Sequence, residues 1–124
     1  MNTTPQIERW PASAAGRSRL VAFGDMVFAV ANARDEHADL DTQISETFAL
    51  LDAALAEGGS ERTRMLSVHV LLSDMAHKSR FDARWAEWFG PDPQAWPQRA
   101  CYAAALAGGL MVELVVQAAR FPRS

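Results

Sequence analysis

The 124-residue sequence has one cysteine, no long apolar run and no excess of basic residues. A single cysteine, Cys101, excludes an intrachain disulfide and is compatible with a reducing compartment. No apolar run approaches the length that crosses a bilayer, and the first ten residues lack the charged and then apolar pattern of a secretory leader. A formal net charge of −3 argues against a nucleic-acid surface, which needs a basic stripe. These absences predict a cytoplasmic protein that binds neither membrane nor nucleic acid.

Hydrophobic residues make up 49% of the chain, which predicts one compact domain over residues 1–124 and is too little sequence for two. Residues Met1–Gly16 are polar and rich in small side chains, and we expect them to run over the surface before the fold begins. Two runs rich in β-branched and aromatic residues, Arg19–Phe23 and Met26–Ala33, flank Gly24-Asp25 and predict a first hairpin. His37 follows in a charged stretch without Cys or His at metal spacing, so no metal site is expected.

Two amphipathic helices are predicted on either side of a strand. In Asp41–Glu57 the apolar residues recur at i, i+4, i+7 and i+11, and Gly58-Gly59 indicates the helix end. The run MLSVHVLLS after Arg64 alternates as a strand that is apolar on both faces, and His69 within it is interpreted as a histidine held by a hydrogen bond in a core or interface. The aromatic stripe of Asp74–Phe89 is interpreted first as a core face and second as an aromatic ligand cage.

The C-terminal stretch Trp96–Arg120 predicts a second hairpin. Gly108-Gly109 between apolar runs is a hairpin-turn signal, and Pro97 suits the start of a strand. Period-two alternation across this turn places Arg99 and Glu113 on one face. A guanidinium and a carboxylate among apolar residues are costly to bury unless they are paired or open to a cleft. This pair is therefore the first site candidate, and a structural ion pair is the alternative.

The predicted element order is β-β-α-β-α-β-β, which is typical of an α+β fold with two helices on one face of a mixed sheet. The opposite face is predicted to be too apolar to face water, so we expect self-association to cover it. The residues assigned to that face are Met65, Leu71, Ala103, Ala105, Met111 and Val115.

The run Pro97–Cys101, followed by a small-residue stretch and then Val112–Val115, resembles the C-terminal signature of the RidA (YjgF/YER057c/UK114) family. The resemblance covers most of the chain, because Arg17–Ala31 is similar to the family's first hairpin, Phe48–Ser60 to its first helix and exit, and Phe81–Phe89 to its second helix. It implies a RidA-like, chorismate mutase-like fold, a homotrimer with clefts between subunits, and no cofactor.

The activity implied by this resemblance is hydrolytic deamination of small enamines or imines of the 2-aminoacrylate type to 2-keto acids. Arg99 would bind the substrate carboxylate, and Glu113 would hold or activate the attacking water. Ala100 and Cys101 would line the substrate pocket. A nucleophilic role for Cys101 is disfavoured, because no activating base is identifiable near it in sequence.

The sequence departs from the family pattern at positions expected to contact substrate. Arg17 stands where many of the deaminases have tyrosine, Val30-Ala31 where they have serine-glycine, and Asp82 where they have asparagine. Each change would narrow or recharge the pocket, since Ala31 adds a methyl group and Arg17 adds a positive charge. The substrate is therefore not identified by the sequence.

Two other functions are considered beside deamination. The first is a non-catalytic trimer that binds small carboxylate metabolites through Arg99 without turnover. The second is the ribonuclease activity claimed for some relatives, which conflicts with the acidic charge balance and with the lack of a basic aromatic groove.

Overall fold

The computed structural model describes residues 6–122 and contains a six-stranded mixed sheet with two α-helices. The strands are β1 (Ile7–Pro11), β2 (Ser18–Phe23), β3 (Met26–Asn32), β4 (Met65–Leu72), β5 (Gln98–Ala103) and β6 (Val112–Ala119), and the helices are α1 (Leu40–Glu57) and α2 (Lys78–Phe89). Short 3₁₀ turns at Arg62–Arg64, Met75–His77 and Pro93–Ala95 precede β4, α2 and β5. The strand order is β1-β2-β3-β6-β4-β5, in which β4 and β5 run parallel and the other neighbours antiparallel. The predicted α+β class is confirmed.

The first hairpin forms as predicted, but an additional strand precedes it. β2 and β3 pair around Gly24, whose φ of 58° lies in the left-handed region that favours glycine. The segment expected to run over the surface instead contributes β1, which pairs antiparallel with β2. Trp10 of β1 packs against the core, and Glu8 accepts a hydrogen bond from the distant Arg120 at 3.2 Å. Met1–Pro5 lie outside the described residues.

The two helices and the sheet face beneath them form the hydrophobic core. α1 begins after Asp39, whose carboxylate accepts a hydrogen bond from the Thr42 N–H at 2.8 Å, and it ends at Gly58-Gly59 as predicted. Burial of each large aliphatic or aromatic side chain contributes about 1.5–3 kcal/mol to this core. The largest fully buried apolar side chains are Leu20, Val27, Ile44, Leu51, Leu55, Val68, Val70, Leu72, Phe81, Val112 and Leu114.

Helix α2 begins at Lys78, later than the predicted Asp74. The carboxylate of Asp74 caps the separate 3₁₀ turn Met75–His77, so the chain makes a tight turn before the α-helix starts. Phe81 is fully buried and packs edge-on against Phe48 of α1, with ring centroids 5.8 Å apart. The aromatic stripe of α2 is thus a core face at its centre, as predicted.

The C-terminal strands do not form the predicted hairpin. β4 lies between β5 and β6, so both strands pair with β4 and not with each other. The buried side chain of Gln43 holds the connecting loop, because its Nε2 donates to the Gly109 carbonyl at 3.1 Å and its Oε1 accepts from the Met111 N–H at 2.9 Å. Gly108 has a φ of 57°, so the glycine pair does mark a tight turn, although that turn joins non-adjacent strands.

The sheet face opposite the helices, called here the open face, differs in membership from the prediction. Leu71 and Val115 lie on it as expected. A register shift between Met65 and Ser67 turns Met65 into the core, where it is 4% exposed. Ala103 is in register with the buried Leu72 and therefore faces the helix side. The two other predicted members lie in the loop after β5, namely Ala105 and Met111.

The open face is nevertheless strongly apolar. Its large apolar side chains are between 38% and 52% exposed, and strand register places them on one side of the sheet. A contiguous apolar surface of this kind marks an interaction site more often than a solvated face. These side chains are Ile7, Phe23, Phe28, Val30, Tyr102 and Val115.

Candidate functional site

Arg99 and Glu113 lie on opposite faces of the sheet, so the predicted pairing within one chain is wrong. Arg99 is in register with Val68 of β4, which is buried beneath the helices. Glu113 is in register with Leu71 of β4. Leu71 lies three residues after Val68, and successive strand residues alternate between faces, so Leu71 and Glu113 lie on the open face. The prediction assumed direct pairing of β5 with β6, whereas the intervening β4 sets the two strands independently.

Arg99 instead belongs to an ion cluster with α2. Its Nη2 donates to Asp82 Oδ1 at 2.6 Å, and Lys78 Nζ lies 2.7 Å from Asp82 Oδ2. The guanidinium carbon lies 5.2 Å from the ring centre of Trp85 and 5.8 Å from that of Phe81. Cation–π contact and the ion pair together hold the Arg99 side chain at the edge of the core. The cluster keeps a net positive charge.

Asp82 is ionised in this cluster at neutral pH. Partial burial disfavours its charge, but hydrogen bonds from Lys78 and Arg99 outweigh that cost and keep the pKa of Asp82 below the ordinary carboxyl value. Because the folded pKa is lowered, the ion pair is fully formed above the ordinary carboxyl pKa and is lost as pH falls through the lowered one. Among residues 6–122, Nη2 makes the side-chain hydrogen bond of Arg99. Both planar N–H pairs of a guanidinium include Nη2, so a ligand carboxylate would pair with the second N–H of Nη2 and with either Nε or Nη1.

A cavity of about 340 Å³, called here the α2–β5 pocket, opens beside Arg99. Asp82 and Arg99 form its charged end, and the rings of Trp85, Phe89 and Trp96 line the remainder. Trp96 Nε1 donates to a backbone carbonyl at 3.0 Å, which fixes the orientation of a ring that is 51% exposed. A few polar groups in an otherwise apolar concave site are typical of small-molecule binding.

The other residues that resemblance assigned to substrate lie elsewhere in the chain. Val30 and Ala31 line a second cavity of about 580 Å³ beside α1. Ala31 is 5% exposed and belongs to the core cluster, so the expected narrowing of the pocket by its methyl group stays a prediction. Arg17 is exposed in the β1–β2 connection. Since β6 and β4 separate β3 from β5, these residues lie about 14 Å or more from Arg99 across the sheet.

Glu113 has a polar partner that the sequence analysis missed. Asn32 Nδ2 donates to Glu113 Oε1 at 2.9 Å, and both side chains are half-buried on the open face. On the same face His69 Nδ1 lies 3.1 Å from Tyr102 Oη, so the predicted hydrogen bond is present, although His69 is exposed and not in the core. The signal for Asn32 was present, because an amide ends the otherwise apolar run MVFAVAN. Its partner could not be inferred from local sequence.

Cys101 and Ala100 flank the candidate site on opposite faces of β5. Cys101 is in register with the buried Val70, so it shares the helix side with Arg99, while Ala100 is in register with His69 on the open face. Burial raises the pKa of the Cys101 thiol, and this effect exceeds the opposing one of the nearby Arg99 charge. The protonated thiol is a poor nucleophile, which agrees with the expectation that Cys101 is not one. The residues that line the α2–β5 pocket include neither Cys101 nor Ala100.

We expect Cys101→Ala to retain most of the wild-type ligand binding and activity, because no reactive thiolate is lost. The comparison requires Cys101→Ala and Arg99→Ala at equal protein concentration, with folding checked by circular dichroism. A loss in Cys101→Ala as complete as that in Arg99→Ala would show that the sulfur takes part in the chemistry.

The part of the chain that the structure describes contains no group of three or more His, Cys, Asp or Glu side chains placed to hold a metal ion. Neither of its two α-helices is both long and apolar enough to cross a membrane.

Comparisons with known proteins identify the family. The model of the family described as endoribonuclease L-PSP matches residues 8–120. A RutC family protein from Haemophilus ducreyi is 33% identical over 86 residues, which cover 68% of this chain and 72% of the relative.

Solved structures agree with this match. An uncharacterised protein from Pseudomonas aeruginosa is 30% identical, with a TM-score of 0.84 over 94% of this chain and 100% of its own. A member of the YjgF protein family from Neisseria meningitidis shares the fold at 23% identity, with a TM-score of 0.84 over 95% of this chain and 98% of its own. The protein therefore belongs to the endoribonuclease L-PSP family, which is the YjgF/RidA family.

Proposed function

We propose that this protein hydrolyses small enamines and imines of the 2-aminoacrylate type to 2-keto acids. The observation that carries the proposal is the part-buried Arg99 guanidinium, which lines the α2–β5 pocket beside Asp82. In the reaction, an enamine first takes a proton on carbon to become the imine. Water then adds to the C=N carbon, the C–N bond breaks, and ammonia and the keto acid leave without any change of redox state.

Arg99 would anchor the substrate carboxylate. Guanidinium offers planar paired N–H donors that match two carboxylate oxygens. Its side chain is 22% exposed, so the pair would form where water is partly excluded and charge-assisted hydrogen bonds are stronger. The net charge of −3 and the apolar open face favour such a small ligand over RNA.

Glu113 would hold the attacking water and accept its proton. Within one protomer it lies on the other sheet face from Arg99, so the proposed site takes Glu113 from a neighbouring copy. The hydrogen bond from Asn32 orients the carboxylate for this role. Assembly into a homotrimer with clefts between subunits would supply that neighbour and would also cover the apolar open face.

We expect light scattering at micromolar concentration to give three times the chain mass of 13.6 kDa. Phe28→Asp should dissociate the assembly, because it places an unpaired charge on the apolar open face. Met75→Asp is the matched control, since Met75 is similarly exposed but lies in the 3₁₀ turn before α2. A wild-type mass of one chain would rule out the trimer.

The activity itself is tested by generating imines in situ from several amino acids and measuring keto-acid release. Acceleration over spontaneous hydrolysis by wild type, and its loss in Arg99→Ala, is the expected result. Binding of keto acids without acceleration of any imine would favour instead the non-catalytic carboxylate binder, which uses the same Arg99.

A further inference from the structure

We infer that, among the imino acids that the proposed deaminase would hydrolyse, the α2–β5 pocket binds those with a large aromatic side chain more tightly than three-carbon ones. The inference rests on the proposed function, because it takes the substrate carboxylate to be bound by Arg99. It concerns the aromatic wall of the pocket, which carboxylate binding and hydrolysis leave without a role.

The first argument is the volume of the pocket. A bonded non-hydrogen atom takes less than the roughly 30 Å³ share of a liquid water molecule, so a three-carbon imino acid fills at most about half of the 340 Å³ available. The corresponding phenylalanine-derived imine has about twice as many non-hydrogen atoms and would occupy about twice as much of the pocket. Unfilled apolar space forfeits dispersion contacts and leaves hydrophobic surface in water.

The second argument is the chemistry and order of the pocket wall. Trp85 lies directly under the Arg99 guanidinium, and its ring centre is 4.7 Å from that of Phe89. A ligand anchored at Arg99 would therefore extend its side chain along these rings. Aromatic rings packed in offset or edge-on contact gain about 0.5–1.5 kcal/mol beyond the burial of area, a gain that a methyl side chain does not make.

The third argument is the position of Trp96. Its ring is 51% exposed, although tryptophan is the side chain with most to gain from burial. The Nε1 hydrogen bond to the Gly90 carbonyl holds the ring at the wall of the pocket, which Gly90 also lines. An exposed ring held at the wall of an apolar pocket offers a surface on which an aromatic ligand can pack.

The test is calorimetric titration of the full-length protein with pyruvate and with phenylpyruvate. We expect phenylpyruvate to bind about tenfold more tightly or better, which corresponds to about 1.4 kcal/mol. Trp96→Ala should abolish most of that preference, because the ring expected to pack against the phenyl group is lost. Phe121→Ala, which removes another exposed aromatic ring outside the pocket, is the matched control and should change neither affinity.

Equal affinity for the two keto acids, or an undiminished preference in Trp96→Ala, would overturn the inference. This outcome is separable from failure of the proposed function, because the titration needs no turnover. A wild type that accelerates no imine but prefers phenylpyruvate through Trp96 would refute the deaminase and retain the aromatic pocket. Equal activity on alanine- and phenylalanine-derived imines would support the deaminase and refute the aromatic preference of the pocket.

Discussion

Replacing Arg99 with alanine is expected to weaken the binding of small 2-keto acids by about ten- to a hundredfold. The physical reason is the loss of a charge-assisted hydrogen-bonding partner, which costs about 1.5–3 kcal/mol. Arg99→Lys should fall between wild type and Arg99→Ala, since an ammonium keeps the charge but lacks the planar fork. The measurement is calorimetric titration of the three proteins with 2-keto acids and with the corresponding amides, to which wild type should bind more weakly.

Asp82→Asn tests the same prediction in the opposite direction. It keeps the size of the side chain but removes the carboxylate that engages Arg99 Nη2, so the affinity for 2-keto acids should rise. Equal binding of acids and amides by wild type, or unchanged acid affinity in Arg99→Ala, would contradict the anchor role. Arg99 and Asp82 would then be a structural ion pair that fastens β5 to α2.

Glu113→Gln is expected to lower kcat for imine hydrolysis by about 10²–10⁴-fold, because glutamine cannot accept the proton of the attacking water. Keto-acid affinity and assembly should be little changed, since the amide is nearly isosteric and its carbonyl can still accept the Asn32 hydrogen bond. Steady-state kinetics with in situ imines separates the two effects. His69→Gln removes another titratable group on the same open face and is the control, expected to keep most activity.

The division of the proposed site between subunits gives this prediction a second readout. Arg99→Ala and Glu113→Gln chains are each expected to be nearly inactive alone. Mixed, unfolded and refolded together, they should regain part of the activity, because some clefts then combine an intact Arg99 with an intact Glu113 from different chains. An inactive mixture that still assembles would argue that Glu113 does not complete the cleft.

Local pattern in the sequence was sufficient for the main elements of the fold. The 3.6-residue recurrence of Ile44, Phe48, Leu51 and Leu55, bounded by Asp39 and Gly58-Gly59, determines α1 because helix spacing and caps are local properties. The first hairpin follows for the same reason, since Gly24 sits between two runs of strand-forming residues. The signature around Arg99 and Glu113 was likewise sufficient to identify the family.

Properties that depend on distant partners were not predictable in this way. The sequence of β1 predicts a polar surface segment, because its partners are distant in the chain. One of them is Arg120, which donates a hydrogen bond to Glu8. The start of α2 depends on Asp74 capping a separate turn, and the face of Met65 depends on a shift in its pairing with β6.

Only the tertiary structure decided the layout of the candidate site. By itself the sequence determined which side chains of β5 share a face, because alternation is a property of one strand. It could not determine that β4 lies between β5 and β6. That order depends on the burial of Val68, Val70 and Leu72 in the core and on the hydrogen bonds of Gln43 to the loop between β5 and β6. Because β4 lies between them, β5 places Arg99 beside Asp82 and the aromatic pocket on the helix side of the sheet. β6 places Glu113 beside Asn32 on the opposite face. Strand neighbours are chosen by burial over long sequence separations, which no local pattern encodes.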